Sequence, residues 1–537
     1  MKKIIFLLLA LSLLLSACGS PNPEHIPPTV ALLPEADGNT DPGADPGTDP
    51  DTDTDATGES APQEGEEADT TFGLSYLPQH GLNPYTCNAT VNRALFSLLY
   101  ESLFVVNHDF TASPVLCKKL ESSSDGTFYR FTLPENVKFS DGSLLTAEDV
   151  KASLLAAEDS PMYEERLEHI SSIYVPESRI LEITLDRPYE NFALMLDVPV
   201  LKASSIEAER PIGSGPYRLQ GQSLVRNTHW WGDEHGVLSC DTIALSPAKG
   251  ANDLRNQFEF GSTDLVYCDP NSTAAVGYRC DYEVWEAPTT VMHYLGFNLY
   301  SGWFINEEFR SAVTYAIDRD AYVNEVYGGF AQATPLPCSP SSPFHDDQLA
   351  EDYDYAPGKF KEALDATGIL TDPQYNGHEG KFLVCIDDPA RVKLAERICK
   401  VLTDAGLRLT VSALERARYK QALQNQDFDV YLGEVRLTTN FDLSEFFMEY
   451  GNLQYGSIDN TGLVTLCKES LANSGSYGDL HMQVLSSAPI CPIVFKSYAI
   501  YVTRGKITNN APGVDLVFHD GQQARTLADA YNPEEEE

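Results

Sequence analysis

An α/β architecture with mixed sheets is the fold class this sequence predicts, and three observations carry it. Strand-like alternation and helix-like periodicity interleave over the whole body of the chain from residue 72. They do so without the strict βαβ period of a barrel. The roughly 460 residues from 72 to 533 are moderately apolar and too many for one core, which points to two or three domains.

Thr127 to Ser140 reads Thr-Phe-Tyr-Arg-Phe-Thr-Leu-Pro-Glu-Asn-Val-Lys-Phe-Ser, an alternating strand that stops at the turn pair Asp141-Gly142. Thr146 then caps a helix, with Asp149 three residues on and Val150, Leu154 and Leu155 on one face. Ile180 to Leu185 forms another strand. Asn306-Glu307-Glu308 opens a helix whose Val313, Ala316 and Ile317 share a face until Gly328-Gly329 stop it. Asp388 caps a further helix with Pro389 at its first position, and Val392, Ala395, Cys399 and Leu402 line one face as far as Gly406. Leu407 to Leu414 alternates as a strand.

Lys2 and Lys3 followed by the apolar run Ile4 to Leu15 form a secretory signal, too short for a permanent membrane span. Its end, Leu15-Ser16-Ala17-Cys18, resembles the lipobox of bacterial lipoproteins, which implies that Cys18 is lipidated and becomes the N-terminus after residues 1–18 are processed. Two or three acyl chains on such a cysteine anchor a protein stably. From residue 19 to 71 the chain has no lysine or arginine and repeats Asp, Pro, Gly and Thr, an acidic disordered tether. The formal charge is −42 overall, with −12 in residues 1–71 and −4 in Glu534–Glu537, which leaves −26 for residues 72–533. So acidic a body argues against nucleic acid and anionic lipid as partners.

Beyond Cys18 there are ten cysteines, at 87, 117, 240, 268, 280, 338, 385, 399, 467 and 491, and none forms a CxxC pair. An exported chain with an even number can be disulfide-bonded, Cys268 and Cys280 being the nearest pair, yet several sit in apolar patterns and read as buried thiols. A zinc site lacks its paired spacings.

Several blocks follow one another in a telling order. Leu99-Tyr100-Glu101-Ser102-Leu103 comes first, then Phe128 to Phe131 with Val137 to Gly142 and Leu145 to Val150. The turn Pro211-Ile212-Gly213-Ser214-Gly215-Pro216-Tyr217, the segment with Arg226-Asn227 and Trp230-Trp231, and Phe260 to Leu265 follow. Tyr294 to Asn298, Phe309 to Arg319 and Ala488 to Val494 complete the series. In content and order these blocks resemble the extracytoplasmic solute-binding proteins, family 5, that deliver peptides, nickel and related solutes to ABC importers.

The resemblance implies a two-lobed periplasmic-binding-protein-like fold of class II type, with mixed sheets, a hinge and an extra subdomain. Lobe I spans residues 72–295 plus 485–533, with the subdomain at about 100–195, and lobe II spans 296–484. Such a protein captures a solute, here a peptide, between its lobes and passes it to the permease subunits of an importer. It is a monomer on the outer face of the bacterial cytoplasmic membrane, needs no cofactor and performs no chemistry.

In peptide-binding members an acidic residue beside a tryptophan takes the peptide's amino terminus. In the corresponding stretch, Asp427 to Asp442, the tryptophan position is Val435 and the acid position is Thr438, with Asp442 displaced by a few residues. Candidate ligand-binding residues are therefore Tyr85, Asn298, Trp303, Arg436, Asn440 and Asp442. Arg436 offers bidentate donors to a carboxylate or phosphate, or is a surface arginine. Trp303 stacks on a solute or packs under its lobe. Asn298 orders the crossover backbone.

No catalytic residue is assigned, since there is no GxSxG elbow or HExxH, and Ser246-Pro247-Ala248-Lys249 lacks a KTG companion. No metal ligand is assigned either, His293 beside the hinge strand being a single histidine. The alternative is a surface receptor, adhesin or signalling protein that keeps the fold without transport.

Overall fold

Residues 282–297 and 490–503 form the two longest strands, and the main sheet is built around them. The structure, a computed structural model, describes residues 72–232, 238, 240–272, 275, 277–456, 460–507 and 511–519. The leader with Cys18, the tether at 19–71 and residues 520–533 lie outside the described residues.

In chain order the first strands are β1 (Phe72–Tyr76), β2 (Phe104–Val106), β3 (Ala112–Pro114), β4 (Lys119–Ser122), β5 (Phe128–Thr132), β6 (Ile170–Glu177) and β7 (Ile180–Leu185). Then come β8 (Tyr217–Gln220), β9 (Ser223–Arg226), β10 (Thr242–Pro247), β11 (Leu265–Cys268) and β12 (Tyr282–Phe297). The last are β13 (Ala331–Ala333), β14 (Gly380–Cys385), β15 (Leu409–Leu414), β16 (Val430–Arg436) and β17 (Ile490–Thr503).

The main sheet runs β15-β14-β16-β12-β17-β11-β1-β10-β9-β8, with β13 added on β17. It is mixed, as the interleaved pattern predicts: β14 is parallel to β15 and β16, and β1 to β10 and β11, while β12 and β17 are antiparallel at the centre. A separate antiparallel sheet, β4-β5-β7-β6, carries the block around residue 130.

β12 and β17 pair in two main runs, the second with a one-residue shift between His293 and Tyr294. Tyr282 to Pro288 face Thr503 to Ser497, pairing lapses, and it resumes from Met292 opposite Phe495. Pro288 lacks an N–H and sits where the ladder stops. The freed backbone is satisfied locally: the Thr289 hydroxyl donates to the Lys496 carbonyl at 2.7 Å, and Thr290 to Leu437 at 2.6 Å. The run before the break aligns with β11 and the run after it with β16, so two halves of the sheet meet along one pair of strands.

Local signals explain most elements. Thr146 and Asp149 form a capping box on the helix Ala147–Ala157, and Asp388 Oδ1 accepts from the N–H groups of Ala390 and Arg391 to start Pro389–Asp404. Two expectations are corrected. The strand expected over 127–140 ends at Thr132, because Pro134 cannot donate to a ladder and Asn136 takes a left-handed φ of 64°. The helix expected from Asn306 to Gly328 is broken: Glu307–Val313 ends in a 3₁₀ turn, Ile317 is extended, and Asp318 caps a new helix, Arg319–Glu325. The break lets Arg319, 1% exposed, donate to the carbonyls of Pro492 and Thr314.

All ten cysteines among the described residues are free thiols, and all but Cys268 and Cys280 are buried. Two apolar clusters form the core. One is drawn from residues 295–432 with Cys491–Val494, and the larger combines residues 72–294 with Leu336–Leu349, Leu383, Cys385, Tyr419–Tyr431, 437–447, 463–485 and 490–518. Among the described residues no helix is long and apolar enough to cross a membrane.

Candidate functional site

A cavity of about 610 Å³ opens against the chain's first blocks, within the usual range of roughly 300–1,000 Å³ for small-molecule sites. Its polar wall includes Arg93, Glu101, Arg166, Asp197, Trp230, Trp231 and Asp515, set among Phe96, Tyr100, Met162 and Tyr163.

Glu101 follows directly on the short helix Phe96–Leu99, and its position depends on the glycine turn at 211–217. The Gly215 N–H donates to the Leu99 carbonyl at 3.1 Å. A Cβ on Gly213 would stand 2.1 Å from that same oxygen, and one on Gly215 would stand 2.6 Å from the Leu99 carbonyl carbon. Only glycine lets the two segments approach so closely. Gly213→Ala is expected to cost about 1–3 kcal/mol of stability through overpacking and to move Glu101, readable as a lowered urea midpoint together with weakened solute binding.

The Glu101 carboxylate is gripped by donors. Its Oε1 accepts from the indole N–H of Trp230 at 3.0 Å, and both oxygens accept from Trp231, at 3.1 and 3.0 Å. Oε2 also accepts from the Ser214 hydroxyl at 2.7 Å. Burial pushes this carboxyl above its ordinary pKa, and the three donors pull against burial without cancelling it. A carboxylate so poised gains from a cation placed in the cavity.

Across the wall, Arg93 Nη1 lies 3.9 Å from Asp515 Oδ1. Both atoms are buried and neither makes a hydrogen bond. Buried donors and acceptors are almost always hydrogen-bonded, so these two atoms, in ion-pair range but without a hydrogen bond at a cavity surface, suit a polar solute. Arg166 is ion-paired with Asp197, and its guanidinium lies 5.3 Å from the Tyr163 ring centroid.

The six sequence candidates fall in three places. Tyr85 and Arg436 stand one layer behind the cavity: the Tyr85 hydroxyl donates to the Pro199 carbonyl at 2.5 Å, and Arg436 is ion-paired with Asp515 and donates to Tyr498 at 3.2 Å. Asn298 and Trp303 lie together elsewhere. The Asn298 amide donates to Phe428 at 3.0 Å and accepts from Tyr300 at 2.9 Å, while Trp303, 4% exposed, packs on His378 at 4.5 Å. Asn440 donates to the Tyr189 hydroxyl at 2.9 Å, and Asp442 accepts from the N–H and hydroxyl of Ser444. Burial, then the carboxylates of Asp442 and Glu445, push the nearby Glu168 carboxyl up to about 7. Glu101, Arg93 and Asp515 have no individual signature in sequence, although Glu101 and the two tryptophans lie inside the blocks that carry the resemblance.

A second charged group straddles β12, β16 and β17. His293 meets the Tyr327 hydroxyl at 2.6 Å and Glu434 at 2.9 Å. The Lys496 ammonium sits 2.5 Å from Asp269, 3.6 Å from Asp388 and 3.7 Å from Glu434. His293, Asp388 and Glu434 have the spacing of metal ligands, but Lys496 already supplies their cation.

Residues 111–456 match the family profile described as bacterial extracellular solute-binding proteins, family 5 middle. The chain is 27% identical over 306 residues to a glutathione-binding protein of Salmonella typhi, a stretch covering 53% of this chain and 59% of that relative's length. Two solved structures share its fold. One is the ABC transporter substrate-binding protein CtaP of Listeria monocytogenes, with TM-score 0.69, 17% identity, and 85% and 99% of the two chains covered. The other is the oligopeptide-binding protein AppA of Bacillus subtilis in complex with a nonapeptide, with TM-score 0.59, 19% identity, and 85% and 98% covered.

Proposed function

This chain belongs to the bacterial extracellular solute-binding proteins of family 5, and from that premise we propose that it captures a short peptide and delivers it to an ABC importer. One observation carries the reading. The cavity of about 610 Å³ presents a carboxylate held by two indole N–H groups and a guanidinium nitrogen without a hydrogen bond. These are complements for the ammonium and carboxylate of a peptide. The glutathione-binding relative and the nonapeptide complex lend support, since both are proteins with peptide ligands.

In this reading Glu101 takes the amino group and Arg93 the carboxylate, with Tyr85 and Arg436 bracing the wall. Asn298, Trp303 and Asn440 hold backbone and packing. Lobe I comprises residues 72–295 and 485–533 and lobe II 296–484, hinged where β12 and β17 lose their pairing. The contacts of Thr439 with the Leu194 carbonyl at 2.6 Å and of Asn440 with Tyr189 then belong to a closed state. Cys18 is lipidated, and residues 19–71 tether the monomer near its permease at high local concentration.

Native mass spectrometry of the gently purified protein tests this. The expected result is an excess mass of roughly a few hundred daltons over the denatured protein, fragmenting as a peptide. No excess mass, together with no thermal shift from a peptide panel, would reject peptide capture.

A further inference from the structure

A second concavity, of about 390 Å³, is lined by Glu158, Glu164, Glu165, Glu168 and Glu445, with no lysine or arginine in its wall. Acidic clusters are common on protein surfaces, and what distinguishes this one is His169. That residue is 8% exposed, and its Nε2 makes no hydrogen bond. Glu168 Oε1 nonetheless lies 3.1 Å from it. One ligand atom each from Glu168, His169 and Asp442 lies within 4.8 Å of the other two. Atoms that share an ion at about 2.0–2.2 Å stand at such separations without hydrogen-bonding to one another.

The surroundings have the form of an outer shell. His169 Nδ1 is 3.5 Å from the Asp186 carboxylate, as when a carboxylate orients an imidazole whose other nitrogen binds a metal. Asp442 Oδ1 is fixed by the Ser444 N–H and hydroxyl, at 2.8 and 2.6 Å, which leaves its second oxygen for another partner. The nearest cationic side chains are engaged: Arg187 with Asp186 at 3.0 Å, and Arg166 with Asp197. Nothing here corresponds to Lys496, which fills the other histidine–carboxylate group.

We propose that Glu168, His169 and Asp442 bind a divalent cation of the zinc class, water completing its coordination. One imidazole nitrogen and two carboxylates form a donor set suited to zinc and its first-row neighbours. Glu168 and His169 directly precede β6, and Asp442 follows β16, so the ion joins segments far apart in sequence and stabilises their contact. The site lies outside the cavity beside Glu101, and because Glu168 and His169 belong to lobe I and Asp442 to lobe II it is complete in the closed state, with zinc uptake read separately from peptide binding.

Calorimetric titration of the EDTA-stripped full chain with zinc chloride tests it, alongside His169→Gln and Asp442→Asn. Wild type is expected to take up one zinc per chain, with binding at least tenfold weaker in each variant. Cobalt(II) should give visible d–d bands without thiolate charge-transfer absorption, and these should vanish in His169→Gln. Equal melting temperatures in EDTA establish that a variant is folded, and Glu168→Gln replaces any variant that is not. No zinc uptake, uptake undiminished in the folded variants, or a cobalt spectrum dominated by thiolate would overturn the proposal.

Discussion

Lys496→Met is expected to lower the unfolding free energy by about 3–5 kcal/mol, the cost of leaving buried charges without their partner. Lys496 is 2% exposed on β17 and sits among Asp269, Asp388 and Glu434. Burial alone pulls its pKa down, but Asp269, Glu434 and Asp388 more than reverse that, so it stays charged. Methionine keeps most of the stem and removes the ammonium, leaving three carboxylates with Arg391, 3.5 Å from Asp388 and 3.9 Å from Glu434, and with His293. Burial also pushes Glu434 up, and His293, Arg391 and Lys496 together override this and hold it well below the ordinary value of 4.5. Because that pKa is depressed in the folded protein, the stability it reports is present above about pH 4.5 and is lost as pH falls. The wild type's advantage should therefore be full at pH 7 and shrink in acid. Urea unfolding at pH 7 and in acid measures it, and a difference under about 1 kcal/mol at pH 7 would show that the group is not coupled as described.

Glu101→Gln is expected to weaken binding of a peptide with a free amino terminus by about 10- to 100-fold. A hydrogen bond to a charged group contributes about 1.5–3 kcal/mol, and each 1.4 kcal/mol is a factor of ten. Glutamine retains the shape and one acceptor for the indole N–H groups, so stability should change far less than affinity. The raised pKa of Glu101 adds a pH signature. An ammonium ligand needs the carboxylate form, so wild-type affinity should fall as pH drops through that raised value, whereas the glutamine variant should show no such fall. Titration calorimetry across pH measures both, and an unchanged affinity in the variant would remove Glu101 from the site.

What could be read from sequence was local. The capping box at Thr146 and Asp149 and the Asp388-Pro389 helix start each depend on residues within one turn, and both are present in the fold. The expected single helix from Asn306 failed because Arg319 answers to carbonyls at 314 and 492, which no periodicity reveals. The site was harder still. Arg93, Glu101, Trp230, Trp231 and Asp515 come from four segments, and only the approach of the Gly213–Gly215 turn to Leu99 brings Glu101 beside the tryptophans. Tyr85 and Arg436 were recognisable as an aromatic and a cation near the right segments, but neither lines the cavity: their bonds are taken up by the back of its wall, Tyr85 by Pro199 and Arg436 by Asp515 and by Tyr498. Asp442 meets Glu168 and His169 through tertiary contact alone, which is why spacing gave no sign of a metal site.

The most direct test of solute capture is calorimetric titration with a short peptide bearing free termini, set beside the same peptide acetylated at its amino end. Capture beside Glu101 requires one site per chain for the free peptide and at least tenfold weaker binding after acetylation. Equal affinity for the two, or no binding of either across a peptide panel, would contradict it.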